Sequence, residues 1–182
     1  MKREEALKLL KEHVTQENLF KHMYAVEAIM EGMAKYLNED AEKWRLLGLL
    51  HDIDFEKAPE PDKHCTIAPE ILKEKFDEDF IRAVRAHNFD NLDIQPETKM
   101  ELALIAADAI SGLVIAAALI MPSKKLADVK VESIASKFKK KDFARNCSRE
   151  RILFCEKIDI PKEKFFEISL KALQGISNEL GL

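Results

Sequence analysis

Four histidines and two aspartates carry the chemistry this sequence offers. His22 lies in an apolar-faced run, next to Met23 and ahead of Val26. His51 and Asp52 are adjacent at the end of Leu-Leu-Gly-Leu-Leu. His64 stands just before one predicted helix, and His87 ends another. Asp108 is the one charged residue in LALIAADAISGLVIAAALIM, Leu102–Met121. An ionised carboxylate alone in a core is prohibitively costly unless something compensates it. The nearby side chains are aliphatic, and Lys99 is about two and a half turns away on a 3.6-residue helix. A divalent ion would compensate both Asp52 and Asp108, and imidazole with carboxylate suits Fe, Mn, Zn and Co. Helix ends converging on a buried aspartate are a way to build such a site in a bundle. The alternative is a neutral or hydrogen-bonded Asp108, or a helix with a partly wet face. His13, among charges near the end of the first helix, reads as a surface residue.

The elements that must position these groups read almost entirely with helical period. Arg3–Val14 is amphipathic, with Ala6, Leu7, Leu10 and Val14 on one face. Thr15 is placed to cap Gln16–Leu37, and Asp40 to cap a third helix ending near Asp52. Ile53–Lys63 holds prolines and reads as a loop. Thr66–Phe76 and Glu78–His87 read as shorter helices, and Asn88–Pro96 breaks the pattern. Then comes the apolar helix, ended by Pro122, followed by Val131–Lys140, Ser148–Ile158 and Lys162–Leu180. No strand alternation or internal repeat is present. The expectation is an all-α single-domain helical bundle over residues 1–182 with a central buried helix.

Composition narrows the function. The 182 residues are 47% hydrophobic, with a formal net charge of -4 and a pI of about 5.8. A mildly acidic chain gives no global basis for binding a nucleic-acid polymer. Cys65, Cys147 and Cys155 are odd in number and form no CxxC pair, as expected of reduced thiols in a cytoplasmic protein. The N-terminal MKREEALKLLKEHV lacks the apolar core of a signal peptide. Leu102–Met121 is long enough to span a bilayer. Its flanking Lys99, Glu101, Lys124 and Lys125, and the lack of a second span, favour a core helix wrapped by others.

The order His22, His51-Asp52 and Asp108 resembles the HD-domain metalloenzyme superfamily, named for its His-Asp doublet. LLGLLHDID and IAADAISGL are similar to that family's second and last ligand segments, over roughly Asn18–Gly112. The resemblance implies an all-α bundle with a ligand-bearing core at about 18–112, on which C-terminal helices in 123–182 pack. It implies metal ligation by His22, His51, Asp52 and Asp108. Members with two ions add two intermediate histidines, and His64 and His87 stand in those places, with Asp52 then bridging. The implied cofactor is a pair of divalent ions, Fe, Mn, Zn, Co or Ni. A common subfamily motif reads His-Asp-Ile-Gly; here Asp54 replaces the glycine. The tail ISGLVIAAALIMPSKK…SIASKFKKKDFARN resembles small stand-alone bacterial and archaeal HD proteins.

The implied activity is phosphohydrolase or phosphodiesterase action on a nucleotide or other small phosphorylated compound, through a metal-activated hydroxide. Asp52 is the expected catalytic group; Asp54 could orient His51, act as a general acid, or be a loop carboxylate. Lys124 and Lys125 are candidates for phosphate contact. Lys137, Lys139, Lys140, Lys141, Arg145, Arg149 and Arg151 form a second basic group, with Arg145 the expected substrate contact. Arg82 and Arg85 precede His87 and could also reach an anion. Alternatives are a mixed-valent diiron oxygenase of the HD-like kind, and a non-catalytic metal-binding sensor. The helix Lys162–Leu180 could pack on the domain or on a second copy as a homodimer.

Overall fold

A computed structural model describes residues 1–182 as eleven α-helices and two 3-10 turns, with no strand. In chain order these are α1 (Arg3–Lys11), α2 (Glu17–Leu37), α3 (Ala41–Leu50), α4 (Ala68–Leu72), α5 (Glu78–Ala86) and α6 (Phe89–Leu92). Then follow α7 (Lys99–Leu119), α8 (Val131–Lys139), α9 (Arg149–Ile152), α10 (Lys162–Gly175) and α11 (Ser177–Leu180). The 3-10 turns are Leu126–Asp128 and Leu153–Ile158.

Helix starts follow local chemistry. Asp40 accepts hydrogen bonds from the amides of Glu42 and Lys43, both at 3.0 Å, and opens α3. Thr98 and Glu101 form a reciprocal capping box on α7. The sequence reading of Thr15 as a cap fails. Gln16 is the N-cap of α2, and the Thr15 hydroxyl donates to Glu56 at 2.9 Å instead.

α7 is the axis of the molecule. It packs against α2, α3, α5, α8, α9 and α10, which is why a helix with no polar face is stable in water. It is long and apolar enough to cross a bilayer, yet 67% of its most apolar stretch is buried among its neighbours. One stripe stays partly open, running through Asp108, Gly112, Ile115 and Ala116 to the exposed Leu119 and Ile120. α10 packs along α2 and also touches α7 and α8.

Three devices fix the elements that carry the site. Gly48 lets α3 lie directly on α2: a Cβ there would stand 2.8 Å from the Val26 carbonyl oxygen and from the Glu27 nitrogen. Glu27, buried on α2, pairs with Arg3 of α1 at 2.5 Å and with Arg45 of α3 at 3.1 Å. Arg82 of α5 pairs with the buried Glu101 of α7 and donates to the Gln95 carbonyl at 3.1 Å. Arg82 is therefore spent on tying down the helix that ends in His87, away from the anion-binding role open to it in the sequence.

Candidate metal centre

Each side chain reaches the centre from a different element. His22 projects from the first turns of α2, and Asp108 from the middle of α7. His51 is the C-cap of α3, and Asp52 follows it. His64 lies in the turn before α4, and His87 is the C-cap of α5. All six meet. His22 Nε2 is 3.2 Å from His51 Nε2, 3.2 Å from Asp108 Oδ1 and 3.5 Å from Asp52 Oδ2. Asp52 Oδ1 is 3.4 Å from His51 Nε2, 3.1 Å from His64 Nε2 and 3.3 Å from His87 Nε2. His64 Nε2 and His87 Nε2 are 3.1 Å apart.

These separations fit coordination better than hydrogen bonding among the side chains themselves. Two donors each 2.0–2.1 Å from a common ion, at 90–110° to one another, stand about 3.0–3.4 Å apart. The outward ring nitrogens are satisfied in a way that aims the Nε2 lone pairs inward. His51 Nδ1–H donates to the Gly48 carbonyl at 2.8 Å, and His87 Nδ1–H to the Val84 carbonyl. His22 Nδ1 faces the Ser111 hydroxyl at 3.4 Å, and that hydroxyl donates to the Asp108 carbonyl at 2.8 Å. The donor set therefore fits divalent ions in two adjoining groups. His22, His51 and Asp108 form one group, with Asp52 Oδ2 turned to His22, and His64 and His87 form the other around Asp52 Oδ1, which also lies 3.4 Å from His51 Nε2.

The two positions differ in access. The side chains of His22 and Asp108 are 28% and 25% exposed, while that of His51 is fully buried and that of His87 is 5% exposed. The centre thus opens toward solvent on the His22–Asp108 side.

Electrostatics show how the cluster manages its charge without an ion. Burial opposes ionisation of Asp52, but His51, His64 and His87 hold its carboxyl well below the usual range. Burial likewise opposes a charged His64, yet the carboxylates of Asp52 and Asp54 at 3.1 and 3.2 Å push it up to about 12. His87 rises to about 10 against its burial, through the negative charge of Cys65 and the hydrogen bond to Asp52. His51 falls to about 4 because burial dominates. Protons on His64 and His87 do the compensating that metal would otherwise do.

Asp54 is neither in the open cleft nor on a surface loop. It is fully buried and accepts from the backbone amides of Cys65, Ile67 and Ala68 at 3.2, 3.0 and 2.8 Å. Its Oδ1 is 3.2 Å from His64 Nδ1, outside regular hydrogen-bond alignment. That geometry sets Asp54 beside His64 rather than on a surface loop, with both its carboxylate oxygens taken up by backbone amides. Asp54 also pins the turn that a glycine would leave loose.

The basic candidates separate by their surroundings. From Asp108 to the end of α7 at Leu119 the chain climbs about 16 Å, at 1.5 Å per residue. Lys124 and Lys125 follow the end of that helix and are exposed. Arg145 is exposed; Cys147, two residues on, packs its Sγ against Gly112, one turn past Asp108. Arg149 is consumed in donating to the carbonyls of Lys137, Phe138, Lys140, Phe143, Ala144 and Cys147, and so folds that loop. Arg151 reaches the Asp90 carboxylate at 2.6 Å and the His87 carbonyl at 3.5 Å, with its guanidinium 5.0 Å over the Phe89 ring. His13 lies apart, its Nδ1 2.7 Å from Lys57 Nζ.

Sequence reasoning passed over two neighbours of the centre. Phe55 stacks edge-on against His64 with ring centroids 5.2 Å apart. Cys65 is fully buried with its Sγ 3.6 Å from His87 Nδ1. The one signal for Cys65 was its adjacency to His64.

Residues 19–113 match the family model described as HD domain. Two curated relatives align over about half of the chain. Ribonuclease Y of Lawsonia intracellularis is 32% identical over 99 residues, 53% of this chain and 18% of that protein. Ribonuclease Y 2 of Bdellovibrio bacteriovorus is 34% identical over 99 residues, with the same shares. The chain spans less than a fifth of the length of these curated relatives. No solved structure matches it.

Proposed function

Since the chain belongs to the HD domain family, a superfamily of metal-dependent phosphohydrolases, we propose that it hydrolyses a phosphate ester of a nucleotide or other small phosphorylated compound at a dinuclear centre. The observation that supports this reading best is the two-sided placement of Asp52. One oxygen faces His22, and the other faces His64 and His87 with His51 beside it at 3.4 Å. His22, His51 and Asp108 would hold one ion, His64 and His87 the other, and Asp52 both. Ions held there would supply Lewis-acid activation of the phosphate and of a water nucleophile.

The remaining work falls to the chain. Asp52, buried and held ionised, fixes the two groups of donors relative to each other. The wall formed by His51 and His87 excludes water from the back of the centre, so an anionic substrate enters past His22 and Asp108. Arg145, on the loop that Arg149 shapes, would be the cation that meets it. Asp54 holds His64 in its orientation through the Cys65–Ala68 turn.

The name of the relatives favours a second substrate, a ribonucleotide phosphodiester within an RNA strand. One experiment separates the two. Protein stripped of metal and reloaded with Mn, Co, Zn or Fe is assayed against nucleoside phosphates, an aryl phosphodiester and a short RNA. Release of phosphate or nucleoside from the small esters supports the first substrate class, and cleavage confined to RNA supports the second. Oxygen uptake by the iron-loaded protein with no hydrolysis under any metal overturns both in favour of oxygenase chemistry.

A further inference from the structure

Phe55 follows Asp52 by three residues and is 38% exposed, yet it touches the centre: its ring meets the His64 imidazole edge-on, with centroids 5.2 Å apart. Among the rings packed on the four histidines, it is the one that is not itself a histidine. It lies outside the hydrophobic core and outside the half-buried side chains that pack on that core. Both of its chain neighbours are fixed. The Asp54 carboxylate accepts from the amides of Cys65, Ile67 and Ala68. The Glu56 carboxylate accepts from the amides of Thr15 and Gln16, each at 2.8 Å, and from the Thr15 hydroxyl at 2.9 Å. Gln16 is the N-cap of α2, so this anchor ties the segment to the helix of His22, on whose side the centre is open. Single exposed apolar side chains are common. One whose backbone is held on both sides, and whose ring lies against an imidazole of the centre, is preorganised to meet a ligand there.

We propose that Phe55 is a specificity-determining residue: a platform on which a planar aromatic group of the substrate stacks while its phosphate lies at the centre. The inference rests on the phosphohydrolase reading above. It narrows the substrate class to phosphate esters that carry such a group, a nucleobase above all, against sugar phosphates and inorganic phosphate. The spacing agrees. One imidazole separates the Phe55 ring from His64 Nε2, and that nitrogen is 3.1 Å from Asp52 Oδ1. In a nucleotide a sugar ring of similar width separates the phosphate from the base. Stacking on an aromatic side chain needs only a π-face, so it selects a base over no base without reading which base it is.

Binding tests this without turnover. The probes are the hydrolysis-resistant methylenephosphonate analogues of adenosine monophosphate and of ribose phosphate, titrated by calorimetry into zinc-loaded full-length protein. The parent should bind the adenosine compound about 10-fold or more tighter than the ribose compound, the usual effect of one stacked base. Phe55→Leu keeps an apolar side chain against His64 but has no π-face. It should remove that preference by weakening the adenosine compound alone. Phe55→Tyr should keep the preference. Phe55→Trp should keep it too and add a signal: the new indole is quenched by the adenosine compound and not by the ribose compound, over the constant emission of the buried Trp44. A parent that binds both analogues equally, or a preference that survives in Phe55→Leu, overturns the role of Phe55 and leaves the phosphohydrolase reading standing. Failure of both analogues and of inorganic phosphate to bind the zinc-loaded parent overturns that reading and this proposal with it.

Discussion

Replacing Gly48 with alanine should loosen the metal centre without touching any of its side chains. A Cβ at this position would meet the Val26 oxygen and Glu27 nitrogen at 2.8 Å and the Glu27 Cα at 2.9 Å. All three are backbone atoms of α2, so no rotamer change relieves the overlap. Ordinary contact begins at 3.4 Å, so α3 must withdraw by about 0.6 Å, a displacement of the size that overpacked cores show. Two effects compete. Alanine is favoured over glycine inside a helix by about 1 kcal/mol. Overpacking costs about 1–3 kcal/mol, and a clash with rigid backbone belongs at the upper end. The net expectation is a loss of about 1–2 kcal/mol. The same withdrawal moves the Gly48 carbonyl that anchors His51 Nδ1 at 2.8 Å. Site geometry tolerates about 0.5 Å, so metal affinity should fall about 10-fold or more. Urea unfolding of the metal-free protein measures the first quantity, and zinc competition against a chelator the second. A variant as stable as the parent, with unchanged zinc affinity, would refute the packing argument.

Other expectations concern charge and support around the centre. His64 and His87 carry protons up to about 12 and about 10 in the metal-free protein, while His51 at about 4 is already neutral. Metal binding near pH 7.5 should therefore release two or more protons per chain, His22, held up against its burial by Asp108, adding to the count, and apparent affinity should weaken as pH falls. Calorimetry in buffers of different ionisation enthalpy counts them, and a count of zero contradicts the assignment. Asp54→Asn cannot accept three backbone amides as a carboxylate does, and it removes the charge beside His64. It should lower zinc affinity about 10- to 100-fold with little loss of helix by circular dichroism; full affinity would rule out the positioning role. Lys124→Ala and Lys125→Ala, past the end of α7, should leave kcat/KM unchanged on whichever phosphate ester proves active. A marked loss would restore them to the substrate path.

Much of this arrangement is legible in the residues, and its limits have physical causes. The two long helices, 21 residues each, are located by apolar pattern, α2 by helical spacing and α7 by a near-continuous apolar run. Short elements are blurred. Thr66–Phe76 reads as a helix, yet only Ala68–Leu72 forms one, since Asp54 draws the preceding amides into a side-chain-pinned turn. Ser148–Ile158 divides into α9 and a 3-10 turn, and Lys162–Leu180 breaks at Ile176. Asp108 raises its own question from sequence, because a lone carboxylate in an apolar helix demands a partner. His64 and His87 raise none, since each sits at a helix edge where an imidazole is ordinary; only the family resemblance singles them out. Asp54 misleads: polar and loop-borne, it is buried by a turn that its own carboxylate organises.

The central claim is that one carboxylate, Asp52, holds two ions between histidines drawn from four separate segments. Anomalous diffraction from crystals grown with zinc, or with cobalt, measures this directly. The account expects two peaks per chain, one on each side of Asp52, the first against His22, His51 and Asp108 and the second against His64 and His87. A single peak remote from Asp52, or none under saturating metal, would contradict it.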